Sequence, residues 1–333
     1  MAFHRARLGG GHNWQLPNAI MIVKGLRPAR PGGCSVSPIP LPSSLKIMSA
    51  PTLYSPENTN AAYQLNWSLS VFGKESLPSP QICIDSVRES VARDNFKILE
   101  FRHRPPNVAQ FFVSSQPQTS PSQIIRSVKG RWQNISRPIE PIEFRRNYRI
   151  SAVGTSNSEV LDAYVQKQPV RHPMADSNAQ SMIEAIQFHD MRVDLTSVIR
   201  SSHGEYRYGL HIVIESESDW HEVRQEVLSR FRRAVIDACE IREWQLARIG
   251  LLSNHLHILV GPRIDDSPGD VALVFLNNLA DTQGMKPIFR FSYFVGTFGE
   301  YDRGAIWNSL GGHAASARTG RTESFPAHAD ADW

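Results

Sequence analysis

The chain is poor in cysteine. Three cysteines among 333 residues, Cys34, Cys83 and Cys239, lie far apart and form no Cys-x-x-Cys pair. That excludes a disulfide framework, and a reducing cytoplasm is the expected compartment. Long apolar runs are missing too. The longest early one, Ala19–Val23, falls far short of the ~18–20 residues a membrane helix needs. It is also too short for a secretory signal and has no clear cleavage site after it, so no membrane association is expected. The chain has no Gly-x-x-x-x-Gly-Lys loop and no Gly-x-Ser-x-Gly elbow. The usual signals of nucleotide hydrolysis and acyl transfer are therefore absent.

A strong overall charge is lacking as well. Lys and Arg total 36 against 32 Asp and Glu, a net of +4. The sum hides an asymmetry. Residues 1–47 carry six basic residues and no acidic one, and are rich in Pro, Gly and Ser. They read as a disordered basic leader, with Met48 as an alternative start. Residues 48–168 hold 14 basic and 10 acidic residues, and residues 169–333 hold 16 and 22. An anionic partner should prefer the first half of the body. Residues 311–333 read as a disordered tail. The remainder, with 41% hydrophobic residues in the chain as a whole, is enough for about two domains.

An internal repeat organises that remainder. Asn107-Val-Ala-Gln-Phe-Phe-Val113 lies over Asn254-His-Leu-His-Ile-Leu-Val260, 147 residues later, and Ser120-Pro121 falls on Ser267-Pro268 at the same offset. Tyr148–Gly154 falls on Tyr293–Gly299 at offset 145, and Tyr63–Phe72 resembles Tyr206–Ile214. Each copy predicts a strand (63–72; 206–215) and a helix (83–94; 219–238). A strand pair follows (96–101 and 107–114; 246–252 and 255–260). A helix opening at Ser-Pro (121–132; 268–281) precedes a last strand (148–153; 293–298). The order β-α-β-β-α-β is the ferredoxin-like split pattern. The expected fold is α+β, with two such units fused in tandem as a pseudo-dimer. The first unit spans 48–168, a connector 169–205 and the second unit 206–310.

Two constellations carry chemistry. His255-Leu256-His257 sits in a strand, so both imidazoles project from one face and can chelate a divalent metal. The aligned residues of the first unit, Val108 and Gln110, cannot. The first unit has instead a helix predicted at about 158–168, capped by Ser156, Asn157 or Ser158. Val160, Tyr164 and Gln168 share one of its faces. Nothing similar occurs near Trp307–Ser309 of the second unit. A basic stretch also marks the first unit. Arg126, Lys129, Arg131, Arg137, Arg145, Arg146 and Arg149 stand against Glu140 and Glu143, with Trp132 and Tyr148 among them. Such a set can neutralise phosphates while aromatics stack on unpaired bases, and Arg102, His103 and Arg104 can extend it. His211, Tyr301, Cys83 and Cys239 read as packing residues or bystanders.

The His–hydrophobic–His strand followed by Ser-Pro and a helix resembles the single-tyrosine HUH transposases of the insertion-sequence-200 type, which include REP-associated tyrosine transposases. Phe144–Gly154 followed by Tyr164-Val-Gln-Lys-Gln168 resembles that family's strand and nucleophile helix. The resemblance covers about residues 60–310, with each motif present once. It implies one composite site, with Tyr164 as catalytic nucleophile and His255, His257 and Gln168 as ligands of Mg²⁺ or Mn²⁺. Single-stranded or hairpin DNA is the implied partner, gripped by Arg126, Lys129, Arg131, Trp132, Arg145, Arg146 and Arg149. The implied reaction is DNA strand transfer through a 5′-phosphotyrosine. The alternatives are a domesticated, non-catalytic binder of DNA hairpins or RNA, and a metal-dependent phosphodiesterase that uses water.

Overall fold

Strand pairing divides the first predicted strand in two. The computed structural model describes residues 52–78, 83–104, 106–217 and 221–300. The expected leader, the expected tail and Trp307–Ser309 lie outside them. Where one strand was expected at 63–72, the chain forms β1 (Asn60–Gln64) and β2 (Asn66–Gly73), which enter different sheets. The second half does the same: β8 (Gly204–Arg207) and β9 (Gly209–Glu215) part in opposite directions. Trp67, Leu69 and Val71 alternate into the core along β2, whereas β1 is mostly exposed, as an edge strand must be. Leu65 and Tyr208, the single residues at the two switches, are both buried.

The described residues hold twelve strands and seven helices in a mixed α+β arrangement. The first sheet runs β3 (Phe96–Arg104), β4 (Val108–Ser115), β2, β5 (Phe144–Val153), β8 and β7 (Ile199–Arg200). Helices α1 (Ile84–Ala92) and α2 (Pro121–Ser136) pack on it. The second sheet runs β6 (Phe188–His189), β10 (Gln245–Leu251), β11 (His255–Gly261), β9, β12 (Ser292–Phe298) and β1. Helices α6 (Gln225–Arg242) and α7 (Pro268–Asp281) pack on that one. Between β5 and β6 the chain forms α3 (Ser158–Gln166), α4 (Gln168–Arg171) and α5 (Ser177–Ile186). No helix among the described residues is long and apolar enough to cross a membrane.

The helix starts obey their sequence signals. Ser120 and Ser267 each accept a backbone N–H three residues on, from Gln123 (3.3 Å) and Asp270 (3.1 Å), with Pro next in sequence. The helix expected from 219 starts later, at Gln225. Just before it, Glu222 turns its carboxylate onto the backbone N–H of Val223 and Arg224, which holds that stretch in a turn instead. Trp220 lies outside the described residues.

Contacts between the halves are reciprocal. β1 adds in parallel to β12 of the second sheet, and β8 adds in parallel to β5 of the first. Ser122 N donates to Ile264 O and Gly269 N to Pro117 O, one bond being the other shifted by 147 residues at both ends. Gly154 lies so close to the Thr297 carbonyl that a Cβ would stand 2.6 Å from it, and Gly299 lies equally close to the Ala152 carbonyl, at 2.5 Å. Only glycine permits such approaches.

Candidate active site

A helix from the first half lies on the second sheet. The Asn157 side chain caps α3 by accepting from Val160 N (2.9 Å), and Ser158 N donates to Gly299 O (3.0 Å) at the end of β12. Val165 anchors the underside of α3 in a small apolar cluster with Leu195, Ala247, Leu259 and Phe298. Its Cγ1 methyl fills the space over Gly250, where a Cβ would come within 2.6 Å of it. Asp162 closes the contact through a two-pronged ion pair with the buried Arg248, at 2.5 and 2.8 Å.

This docking sets Tyr164 beside the histidines. Strand alternation turns Leu256, Ile258 and Val260 into the α6–α7 core and His255 and His257 toward α3. The Tyr164 ring stands edge-on to His257, with centroids 5.7 Å apart, and the Arg171 guanidinium lies 5.3 Å from the tyrosine centroid. Tyr164 remains 37% exposed, while both histidines are buried.

Two further histidines complete the cluster. His211 on β9 stacks on His257 with centroids 5.2 Å apart, and its Nε2 lies 3.0 Å from His257 Nδ1. His172, just past α4, meets His255 edge-on at 5.3 Å. The sequence reading took His211 for a packing residue. β-Register held the missing signal, because Leu259 pairs with His211, which puts His211 diagonally next to His257.

Burial keeps His211, His255 and His257 neutral. It pushes His211 down to about 4, and His255 down to about 4 with help from His172. His257 is driven well below the ordinary histidine value by burial first and then by His211, His255 and His172. A neutral imidazole carries one proton, so each ring's partner decides which nitrogen stays free. His255 Nδ1 lies 2.8 Å from Asn254 Oδ1, an acceptor, which puts the proton on Nδ1 and leaves the Nε2 lone pair open. The 3.0 Å contact between His257 Nδ1 and His211 Nε2 admits the same tautomer. His257 Nε2 is buried with no hydrogen-bond partner. An orphaned ring nitrogen of this kind, two residues from a second open Nε2 on the same strand face, suits a divalent cation. The described residues hold no cluster of three or more His, Cys, Asp or Glu side chains placed to bind a metal.

α3 ends at Gln166, so Gln168 does not continue its face. Pro169 cannot donate the next helical bond and disfavours helical backbone before it, and a separate short turn, α4, begins. Gln168 is buried, with its amide nitrogen 3.4 Å from the Tyr164 carbonyl. Trp132 is not available for base stacking. It is 2% exposed and packs against Phe101, Phe111 and Phe144 in the first core.

Most of the expected phosphate-binding cations are engaged. Arg131 pairs with Asp94 (2.9 Å) and Arg149 with Glu205 (2.7 Å), while Arg126 bonds back to Ser122 (3.3 Å). Lys129 donates to the carbonyls of Arg145, Arg146 and Asn147 at 2.8–3.0 Å, and burial brings its pKa down to about 8. Arg145 and Arg146 are exposed and, among the described residues, hold no ion pair. The counterpart face of the first sheet lacks imidazoles. Gln110 Nε2 donates to Ser68 Oγ at 3.1 Å there, in the positions of His257 and His211.

No curated protein matches the chain. Among solved structures, "Structure of the REP associates tyrosine transposase bound to a REP hairpin" is similar over 31% of this chain, with 10% identity and a TM-score of 0.26. The match spans 62% of that chain, less than two thirds of its length. Residues 80–168, the segment that ends with the Tyr164 helix and Gln168 and lies wholly in the half without the histidine pair, match the family described as "Transposase IS200 like".

Proposed function

We propose that this protein is a metal-assisted tyrosine DNA nuclease and strand-transferase with one composite site across two fused, duplicated units. One observation carries the reading: the Tyr164 ring, on a helix of the first half, lies 5.7 Å from the His257 ring of the second. The family match over residues 80–168 supports the transposase class, and the reciprocal 147-residue contacts support duplication. The proposed unit of action is a monomer that carries its own pseudo-dimer.

Tyr164 attacks the scissile phosphorus through its phenolic oxygen. The P–O3′ bond breaks, which leaves a 5′-phosphotyrosine and a free 3′-hydroxyl. The phenol loses its proton to solvent, which its exposure admits, and the leaving oxygen regains one. His255 and His257 would hold Mg²⁺ or Mn²⁺ through their open Nε2 atoms, with Gln168 as the proposed third ligand. Two imidazoles favour Mn²⁺ over Mg²⁺. The bound ion supplies Lewis acidity at the phosphate. Arg171, already over the tyrosine ring, is placed to meet the phosphate's charge. Single-stranded or hairpin DNA is the proposed substrate, with Arg145 and Arg146 as free cations for its backbone.

The test is a covalent trap. Wild-type protein with Mn²⁺ and single-stranded hairpin oligonucleotides should give a denaturation-resistant adduct, and Tyr164→Phe should abolish it while binding persists. Binding without any adduct across many hairpins would favour the second reading, a non-catalytic nucleic-acid binder. That reading draws on the missing three-ligand His/Cys/Asp/Glu cluster among the described residues.

A further inference from the structure

The first sheet keeps an open face where the second sheet carries its histidines. A row of side chains crosses all six strands there in register: Arg102, Gln110, Ser70, Arg149, Glu205 and Arg200. At about 4.8 Å per strand, it spans roughly 24 Å. The same row of the second sheet reads Gly250, His257, Val213, Phe294 and Ala62, with no cation. Three arginines face one carboxylate in the first row. Arg149 and Arg200 share Glu205, at 2.7 and 3.7 Å, and among the described residues Arg102 has no ion pair. At the centre of the row a cavity of about 310 Å³ opens between Phe72, Ser68, Ser70, Gln110, Ser151 and Arg149. No described helix covers it.

We propose that this face is a second, metal-independent site that takes one unpaired nucleotide of a single nucleic-acid strand. The cavity has the size of a small-molecule site and carries one aromatic wall. Phe72 offers a surface for the flat face of a base. The Gln110 amide and the serine hydroxyls offer donors and acceptors to its edge, and a glutamine amide can pair with adenine at two points. Arg102, on the strand beyond Gln110 and without an ion pair among the described residues, meets one flanking phosphate, and Arg149, which lines the cavity, meets the other on release from Glu205. A duplex keeps its bases stacked and cannot fill the cavity. An acidic peptide would engage the arginines and leave Phe72 and Gln110 unused. The site does not depend on Tyr164 catalysis. It gives the half without the histidine pair a holding role while the composite site acts on another part of the strand.

The test uses the full chain carrying Tyr164→Phe, in EDTA, with a fluorescein-labelled random 15-mer of single-stranded DNA followed by anisotropy. Gln110→Leu and Arg102→Ala should each weaken binding by about 5–10-fold with unchanged melting temperature. Unlabelled duplex and poly-glutamate should compete poorly. A 5-iodouracil-labelled oligonucleotide should crosslink to the peptide that contains Phe72, a readout that needs no variant to fold. Parental binding by both variants, crosslinks confined to other elements, or equal competition by poly-glutamate would overturn the proposal. Covalent-adduct formation by the wild type with Mn²⁺ is scored separately. Groove-dependent binding with no adduct leaves this site standing and removes the Tyr164 reading. Adduct formation with no groove dependence does the reverse.

Discussion

Arg248 and Asp162 join the two halves where α3 lies on the second sheet. Arg248 is 6% exposed in the middle of β10, and its Nε and Nη2 grip both carboxylate oxygens of Asp162, two residues before Tyr164 on α3. Asp162→Ala would leave a buried guanidinium unpaired. Because the aspartate side chain is itself one-third exposed, the expected loss is about 1–3 kcal/mol, below that of a fully buried pair. Urea denaturation measures this. Adduct formation should fall further than stability does, because α3 would lose its register over His257. A variant that loses stability while keeping full adduct yield would show that Val165 alone positions the helix.

The Val165–Gly250 contact makes a second prediction. A Cβ on Gly250 would stand 2.6 Å from Val165 Cγ1, the tip of a side chain, so Gly250→Ala should push α3 outward at a cost of about 1–3 kcal/mol. Val165→Ala removes the obstructing methyls. The double variant should be more stable than the sum of the single changes allows, by at least about 0.5 kcal/mol, which a double-mutant cycle on melting curves would detect. Strict additivity would place the helix elsewhere.

Trp132 separates a binding role from a packing role. The sequence places it in a basic stretch, and there an indole reads as a base-stacking platform. The indole instead fills the first core between Phe101, Phe111 and Phe144. Trp132→Leu should destabilise the protein by about 2–4 kcal/mol as a large-to-small core change. Oligonucleotide affinity at a temperature where the variant stays folded should not change. Arg145→Ala with Arg146→Ala should do the opposite, weakening binding and flattening its salt dependence with little effect on stability.

The two Ser-Pro helix starts and the His-x-His strand were legible because they rest on local pattern. Alternation put His255 and His257 on one face, and the N-cap residues marked α2, α3 and α7. The strand exchanges at Leu65 and Tyr208 were not legible. Nothing local shows that β1 leaves its own unit to pair with β12. His211 stayed hidden for the same reason, since its meaning lies in cross-strand register. The end of α3 before Gln168 follows a local rule, since Pro169 disfavours helical backbone in the residue before it. The engagement of Arg131 and Lys129 is tertiary and has no local signal, because Asp94 and the carbonyls of residues 145–147 are their partners.

Neutral His211, His255 and His257 give the protein a direction of acid sensitivity. His211 and His255 are held at about 4 and His257 well below its ordinary value, all by burial, whereas the unfolded chain protonates them near 6.5. Between these limits the unfolded state binds more protons than the folded one, so stability rises with pH and is lost as pH falls. The loss should begin below about pH 6.5 and accumulate down to about pH 4, with of order 1–2 kcal/mol per histidine by pH 5. Half-buried His211 should contribute least. Melting curves of chelator-treated protein from pH 7.5 to 4.5 should show this fall. His211→Asn should make it shallower while preserving a hydrogen-bond partner for His257. Mn²⁺ should steepen the acid dependence, because protons and metal compete for the same Nε2 lone pairs. A melting temperature flat from pH 7 to 5 without metal would mean that the imidazoles are solvated and that the orphaned His257 Nε2 finds water.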